Sequence, residues 1–145
     1  DPFMSLRHIA RAPDGRIAVA SQAEHLVEAE RRAAPLVSLL GPLGLQPLAP
    51  PGGVLLEGYA GDIAHVPGRG FVASATRAGR LAWWAEDGRW LGQQELPKAS
   101  AIAAHGTEWL ASGDVGGVRG LLAGAPLQGH AANLRWDNHA QLLTG

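Results

Sequence analysis

Short runs of alternating apolar and polar residues follow one another along the chain, with turn-forming residues between them. Alternation of this kind is typical of β-strands, because successive side chains of a strand point to opposite faces of its sheet. The 20 glycines and 10 prolines are spread between the runs, which favours tight turns over long helices. The pattern therefore predicts an all-β fold of short antiparallel strands.

Three segments share one pattern of strand, tight turn and strand. Each has an Ile-Ala pair in its first strand, Pro or Gly in its turn and Ala-Ser at its end; they are residues 9–21, 63–74 and 102–112. Two further apolar runs flank Asp87-Gly88, a dipeptide that favours a hairpin because Gly accepts the positive φ of a tight turn. We interpret these units as the inner hairpins and one outer hairpin of β-propeller blades.

The spacing of the repeats predicts how many blades the chain holds. The interval from Ile63 to Ile102 matches a four-stranded blade of about 40–45 residues, whereas the interval from Ile9 to Ile63 is longer. We predict a partial β-propeller of about three four-stranded antiparallel blades, at about residues 5–57, 58–97 and 98–145. Residues 1–3 precede Met4 and are interpreted as a cloning remnant, so that an export signal of the parent protein would lie upstream.

The longer first interval is explained by an insertion between strands of the first blade. Within residues 21–34, Ser21 and Glu24 form a capping-box pattern, and Glu28 is spaced for an ion pair with Arg32. Leu26 and Val27 give a narrow apolar stripe. The segment predicts one short inserted helix, and a flexible polar loop is the alternative reading, because so short a helix is marginal without packing.

The number of blades predicts a partner. Closed propellers typically have 4–8 blades, so an open stack of three leaves apolar sheet faces to be covered. The partner is expected to be the missing N-terminal half of the propeller, or a second copy of the chain about a two-fold axis. On this reading, the last strand around residues 135–143 completes a sheet begun elsewhere, since an unpaired edge is a liability.

Composition and charge exclude several classes of function. The formal net charge is -1 and no long run of basic residues is present, so no nucleic-acid partner is expected. The most apolar stretch, residues 35–56, is broken repeatedly by Pro and Gly, so no membrane insertion is expected. Without cysteine the chain has no disulfide and no thiolate metal site. We find no catalytic or phosphate-binding motif, and no cofactor or metal is predicted.

Six blocks carry a resemblance to a known family: Leu6-Arg-His-Ile-Ala, Pro13-Asp-Gly-Arg-Ile-Ala-Val, Pro35-Leu-Val-Ser-Leu, Gly58-Tyr-Ala-Gly-Asp-Ile-Ala, Ala73-Ser-Ala-Thr-Arg-Ala-Gly-Arg-Leu and Arg135-Trp-Asp-Asn-His139. In this order they resemble the C-terminal half of the periplasmic propeller family catalogued as domain of unknown function 1513. The resemblance implies a seven-bladed, YVTN and quinoprotein-like propeller, exported by a twin-arginine signal. It also implies a periplasmic location and genes beside imelysin-like iron-uptake proteins.

Candidate site residues follow from the expected blade geometry. The first strand of each blade lines the central channel, so polar residues beside these strands are predicted to gather at its mouth; they are Arg7, His8, Asp62, Asp137, Asn138 and His139. Together they could orient a polar ligand or hold a divalent metal. In the structural alternative, the two aspartates bond backbone amides at turns and the histidines satisfy neighbouring strands.

The aromatic and remaining histidine residues are given structural roles. The five tryptophans are expected to fill the space between blades rather than to form a stacking platform. The histidines outside the candidate site show no metal-ligand spacing and are expected to be solvated; they are His25, His65, His105 and His130.

Three functions compete for this fold, because propellers host many functions. The preferred one is a non-catalytic propeller that binds a ligand or a periplasmic protein, in the setting of iron uptake that the resemblance implies. A metal-dependent, lactonase-like propeller hydrolase is the second. A WD-repeat-like scaffold is the third, although the chain has a single Trp-Asp pair at Trp136-Asp137.

Overall fold

A computed structural model describes residues 1–113, 117–122, 125–130 and 140 of the chain. Strands dominate this part of the molecule, and one short helix, α1, covers Glu28–Ala33. The strands are β1 Met4–Arg11, β2 Ile17–Ala23, β3 Val37–Gly41, β4 Gly44–Pro47, β5 Ala60–Val66, β6 Gly70–Ala75, β7 Arg80–Trp84, β8 Trp90–Glu95, β9 Ile102–His105, β10 Glu108–Ser112, β11 Gly117–Leu122 and β12 Ala125–His130.

The strands form three four-stranded sheets in chain order. Sheet A contains β1 to β4, sheet B contains β5 to β8 and sheet C contains β9 to β12. Every neighbouring pair within these sheets is antiparallel. The prediction of an all-β fold with three four-stranded antiparallel sheets and one short helix is confirmed. The inner hairpins and the outer hairpin around Asp87-Gly88 lie at the positions that the sequence pattern predicted.

Sheet B lies between the other two sheets, and its first strand β5 contacts both β1 and β9. Alternate residues of β6 and β7 therefore enter two different cores. Phe71 and Trp84 pack with residues of sheet A such as Ala18, whereas Val72 and Trp83 pack toward sheet C. With both faces covered, every residue of β6 is buried. Stacked sheets whose first strands are neighbours give a propeller-like arrangement.

Tryptophan rings fill both interfaces, as the sequence predicted. Trp83 of sheet B meets Trp109 of sheet C edge to face, with ring centroids 5.0 Å apart. Trp84 and Trp90 make the same kind of contact at 5.2 Å on the side of sheet B that faces sheet A. Edge-to-face geometry matches the positive edge of one ring with the negative face of the other. Trp136 lies outside the described residues.

The helix is shorter than the predicted insertion and begins elsewhere. Ser21 belongs to β2, where its backbone N–H donates to the carbonyl of Leu36 at 3.0 Å. The N-cap is Val27, without a side-chain cap bond, so the capping-box prediction for Ser21 and Glu24 was wrong. The pairing of β2 and the burial of Ser21 stabilise the strand more than a side-chain cap would stabilise a helix that begins there. In the part of the chain described, no helix has the length and apolar character needed to cross a membrane.

Two details of the insertion separate the correct part of the prediction from the incorrect one. The predicted ion pair joins Arg32 and Glu28 at 3.5 Å. The apolar stripe of Leu26 and Val27 does not exist, because both residues precede the helix and are exposed.

Two of the four histidines expected to be solvated are instead largely enclosed. The His65 side chain is only 6% exposed, and its Nε2 lies 2.7 Å from Oε1 of Glu86. His25 is similarly covered and contacts the Asp1 carboxylate at 2.9 Å. The expectation was wrong for both, because each ring found a carboxylate partner distant in sequence. His105 is exposed, as expected, and the side chain of His130 lies outside the described residues.

Candidate functional site

A polar pocket lies at the end of the sheets where the chain enters β5 and β9. Its volume is about 420 Å³. Six polar side chains line it together with Gly61: Arg7, His8, Gln22, Tyr59, Thr76 and Ser100. Residues from sheet A, from sheet B and from the approach to sheet C thus share one pocket, which we call the polar pocket.

A bulge in β1 places Arg7 at the pocket. The pairing of β1 with β2 shifts between Leu6 and His8, so Arg7 is an extra residue without a paired partner on β2. A bulge of this kind re-aims the side chains around it. The Arg7 guanidinium lies 3.4 Å from Oε1 of Glu24, and the two side chains are 45% and 61% exposed.

Gln22 and Tyr59 join sheets A and B beside the pocket. They form an isolated antiparallel bridge, and Nε2 of Gln22 donates to the carbonyl oxygen of Ala60 at 3.1 Å. The guanidinium of Arg77 lies over the Tyr59 ring, 4.5 Å from its centroid. These contacts hold the pocket wall at the seam between the two sheets.

A second irregularity, in β5, brings Gly61 against Thr76. The pairing of β5 with β6 shifts between Ala60 and Ile63, which leaves Gly61 outside the regular ladder. A Cβ atom at Gly61 would stand 2.5 Å from Oγ1 of Thr76 and 3.0 Å from Oγ of Ser74. A side chain at this position would force the Thr76 hydroxyl to move.

The Thr76 hydroxyl is the unusual polar group of the pocket. Its oxygen is buried and has no hydrogen-bond partner among the described residues. Buried polar groups are nearly always hydrogen-bonded, and leaving one unpaired costs about 1–3 kcal/mol. Thr76 lines the polar pocket, so a molecule inside it that reaches this hydroxyl would recover the cost.

Both carboxylate oxygens of Asp62, the residue after Gly61, accept hydrogen bonds from backbone amides. Its Oδ1 accepts a hydrogen bond from the N–H of Ile63 at 2.8 Å, and its Oδ2 accepts one from the N–H of Ile102 at 2.9 Å. The Asp62 N–H donates in turn to Oγ of Ser74 at 2.8 Å, and that hydroxyl donates to the carbonyl of Ser100 at 2.6 Å. This network fixes the floor of the pocket rather than offering the carboxylate to a ligand.

The structure places the sequence-predicted site residues in three groups. Arg7 and His8 line the polar pocket, and Asp62 lies next to it with its carboxylate on backbone amides. The other three predicted residues lie outside the described part of the chain; they are Asp137, Asn138 and His139.

Sequence reasoning missed four of the lining residues: Gln22, Tyr59, Thr76 and Ser100. Each is a single polar residue near a strand end. Tyr59 and Thr76 stand in two of the blocks that carry the resemblance, but none of the four belongs to a catalytic or ligand-binding motif. The one available signal was their common position, because antiparallel order puts the start of β5, the end of β6 and the start of β9 at the same end of the sheets. Within the described ranges, no group of three or more His, Asp or Glu side chains could hold a metal ion.

Comparison with known families identifies the chain. Residues 2–143 match the family described as protein of unknown function, DUF1513. The match covers nearly the whole chain, which therefore belongs to this family. The comparison with curated proteins gives no match.

Proposed function

We propose that this chain is a non-catalytic binding module of propeller-like blades and that it binds a small polar ligand in the polar pocket. The observation that carries the proposal is the buried hydroxyl of Thr76 beside Gly61, which has no hydrogen-bond partner among the described residues. A pocket of about 420 Å³ has room for a small molecule that would accept or donate this hydrogen bond. Arg7 and Tyr59 add further polar groups from two sheets.

The chemistry of the pocket supports binding rather than catalysis. Its described lining residues include no carboxylate, and the carboxylate of Asp62, next to the lining residue Gly61, accepts hydrogen bonds from the amides of Ile63 and Ile102. A metal-dependent, lactonase-like hydrolase would need a cluster of acidic or imidazole ligands, and the described ranges contain none of sufficient size. A WD-repeat scaffold gains no support, because Trp136-Asp137 lies outside these ranges.

The setting of the module is proposed from the family resemblance. A closed seven-bladed propeller, exported by a twin-arginine signal to the periplasm and working beside iron-uptake proteins, accommodates the three propeller-like sheets. The polar pocket would then face the central channel of such a ring.

Amide chemical shifts test the ligand-binding proposal. A panel of small polar compounds is titrated into the ¹⁵N-labelled chain, with mass analysis of each compound afterwards. We expect saturable shifts confined to the amides of Gly61, Thr76 and Ser100, and compounds recovered unchanged. Shifts only at other amides, or conversion of a bound compound, would contradict the proposal.

The outer side of sheet A, which faces away from sheet B, favours a second binding function, the binding of a protein. Ile9 holds the same place in its hairpin as Ile63 and Ile102. The latter two are 6% and 4% exposed and pack against the preceding sheet, whereas Ile9 is 68% exposed. The outer side of sheet A is thus built like the buried sides of sheets B and C.

The register of sheet A shows how far this apolar side extends. Ile9 pairs with Val19, Val19 pairs with Ser38, and Leu40 pairs with Leu45. Residues paired across antiparallel strands share a side, so these side chains form one surface. Ile9, Leu40 and Leu45 protrude from it, and Val19 and Ser38 are buried at its base. In the closed ring that the resemblance implies, a preceding blade would cover this surface. For the chain by itself we propose a second copy as the occupant, because alternating protrusions and recesses let a sheet side interdigitate with its own copy about a two-fold axis.

Sedimentation tests this second function. The chain is expected to associate reversibly between about 10 and 200 µM, and Ile9→Lys or Leu40→Lys should keep it monomeric. Leu26→Lys is the control, since Leu26 is almost fully exposed away from the sheet. A wild-type chain that stays monomeric, or association that survives both sheet substitutions, would overturn the second copy as occupant.

A further inference from the structure

We infer that the polar pocket selects an oxyanion group, a carboxylate or a phosphate, on its ligand. This inference rests on the proposed function and names its ligand class. Among the residues that the structure describes, the lining contains one permanent charge, the guanidinium of Arg7, and no acidic side chain. The one carboxylate beside the pocket floor, Asp62, already accepts two backbone hydrogen bonds. The one fixed charge among the described lining residues is therefore positive, and the Glu24 carboxylate that contacts Arg7 is not one of the lining groups.

The donors around the pocket suit an anion. Arg7 presents a fork of N–H groups, and its existing contact with Glu24 is long and exposed on both sides, so it contributes little and can yield to a ligand. The Thr76 hydroxyl is a buried donor without a partner among the described residues. A charged acceptor bonds such donors more strongly than a neutral one.

The opposite end of the sheets provides a contrast. A cavity of about 400 Å³ there is lined by the β5–β6 and β7–β8 turns. Charges of both signs line it, among them Arg16, Arg89, Glu86 and Asp87. Mixed charges satisfy one another and favour no anion, so the polar pocket differs from this cavity in having no acidic residue among its described lining residues.

Titration with matched probes tests the inference. Inorganic phosphate, succinate and neutral succinamide are each titrated into the full chain at constant ionic strength, and dissociation constants are taken from the amide shifts of Gly61 and Thr76. We expect phosphate, succinate or both to bind at least tenfold more tightly than succinamide. The relative affinities of phosphate and succinate then show which oxyanion the pocket prefers.

The Arg7→Gln variant supplies the second arm, with Arg89→Gln as the control outside the pocket. Arg7→Gln should weaken anion binding about tenfold, and Arg89→Gln should leave it unchanged. Succinamide binding as tightly as succinate, or an Arg7→Gln variant with unaltered anion affinity, would overturn the inference. Saturable succinamide shifts without anion shifts would overturn the oxyanion class and leave the proposed function standing. No saturable shift with any of the three probes would overturn both.

Discussion

The carboxylate of Asp62 accepts a hydrogen bond from the backbone N–H of Ile102 at 2.9 Å, across 40 positions of sequence. Asp62 lies in β5 and Ile102 begins β9, so this bond joins the first strands of sheets B and C. The second oxygen of the same carboxylate accepts a hydrogen bond from the N–H of Ile63 at 2.8 Å. One buried side chain thereby links two sheets and sets the floor of the polar pocket.

Asp62→Asn should destabilise the fold. The amide has a single acceptor oxygen, so one of the two backbone N–H groups is left facing an NH₂ group in a buried place. The expected loss is about 1–3 kcal/mol in the free energy of unfolding, measured by urea denaturation. Asp87→Asn is the matched control, because Asp87 holds the N–H of Arg89 in an exposed turn. Equal stabilities of the two variants would contradict the linking role of Asp62.

Replacing Ile9, Ile63 or Ile102, the isoleucines that open the three Ile-Ala pairs, by alanine should lower the free energy of unfolding by unequal amounts. Ile63→Ala and Ile102→Ala each remove a buried side chain between two sheets and should cost about 2–5 kcal/mol. Ile9→Ala should change the stability of the monomer by less than about 0.5 kcal/mol, because Ile9 is largely exposed. Thermal and urea unfolding at low protein concentration provide the comparison. A large loss for Ile9→Ala under these conditions would show that its side chain is covered within the single chain.

The same isoleucines show how much of the fold was readable in the sequence. The Ile-Ala pairs and turn residues predicted the inner hairpins, because the strand period and tight-turn chemistry are local properties. The Ala-Ser pairs at the ends of the hairpins did not predict which groups their serines contact. The Ser74 hydroxyl donates to the carbonyl of Ser100, just before sheet C, whereas the backbone N–H of Ser21 donates to the carbonyl of Leu36, just before β3 of its own sheet. Which neighbour a serine meets depends on sheet packing, and no local pattern records it.

Acid should weaken the contact between α1 and the segment before β5. The Arg32 guanidinium donates two hydrogen bonds to the Glu57 carboxylate, at 2.8 and 2.7 Å. These bonds, aided by the attraction of Arg32 and of Arg77, lower the pKa of Glu57 below its usual value. A carboxyl group with a lowered pKa stabilises the fold above its unfolded-state pKa and loses that contribution as the pH falls through its folded-state pKa.

Glu57→Gln should therefore be less stable than the wild type at neutral pH, and the difference should shrink as the pH falls below the usual glutamate pKa of about 4.3 and through the lowered folded-state pKa of Glu57. Urea denaturation across this pH range measures it. Glu28→Gln is the control, because the exposed pair of Glu28 and Arg32 contributes little. A Glu57→Gln difference that persists at low pH would show that the carboxylate charge is not its source.

The polar pocket itself was only partly predictable. Arg7 and His8 were found because they stand beside the first strand of a repeat. Tyr59 and Thr76 were not, because a lone polar residue at a strand end resembles an ordinary turn residue. Their convergence depends on two bulges, after Leu6 and after Ala60, which displace the chain from regular pairing.

Thr76→Val tests the binding account most directly, because it replaces the buried hydroxyl by a methyl group of similar size. Two quantities are measured on one variant: the free energy of unfolding, and the dissociation constant of whichever of phosphate and succinate binds more tightly. We predict stability within about 1 kcal/mol of the wild type, or higher, because an unpaired buried hydroxyl has been removed. We predict that binding weakens about tenfold or more, while Thr107→Val, in the exposed β9–β10 turn, leaves it unchanged. Unaltered binding by Thr76→Val would contradict the assignment of the polar pocket as the ligand site.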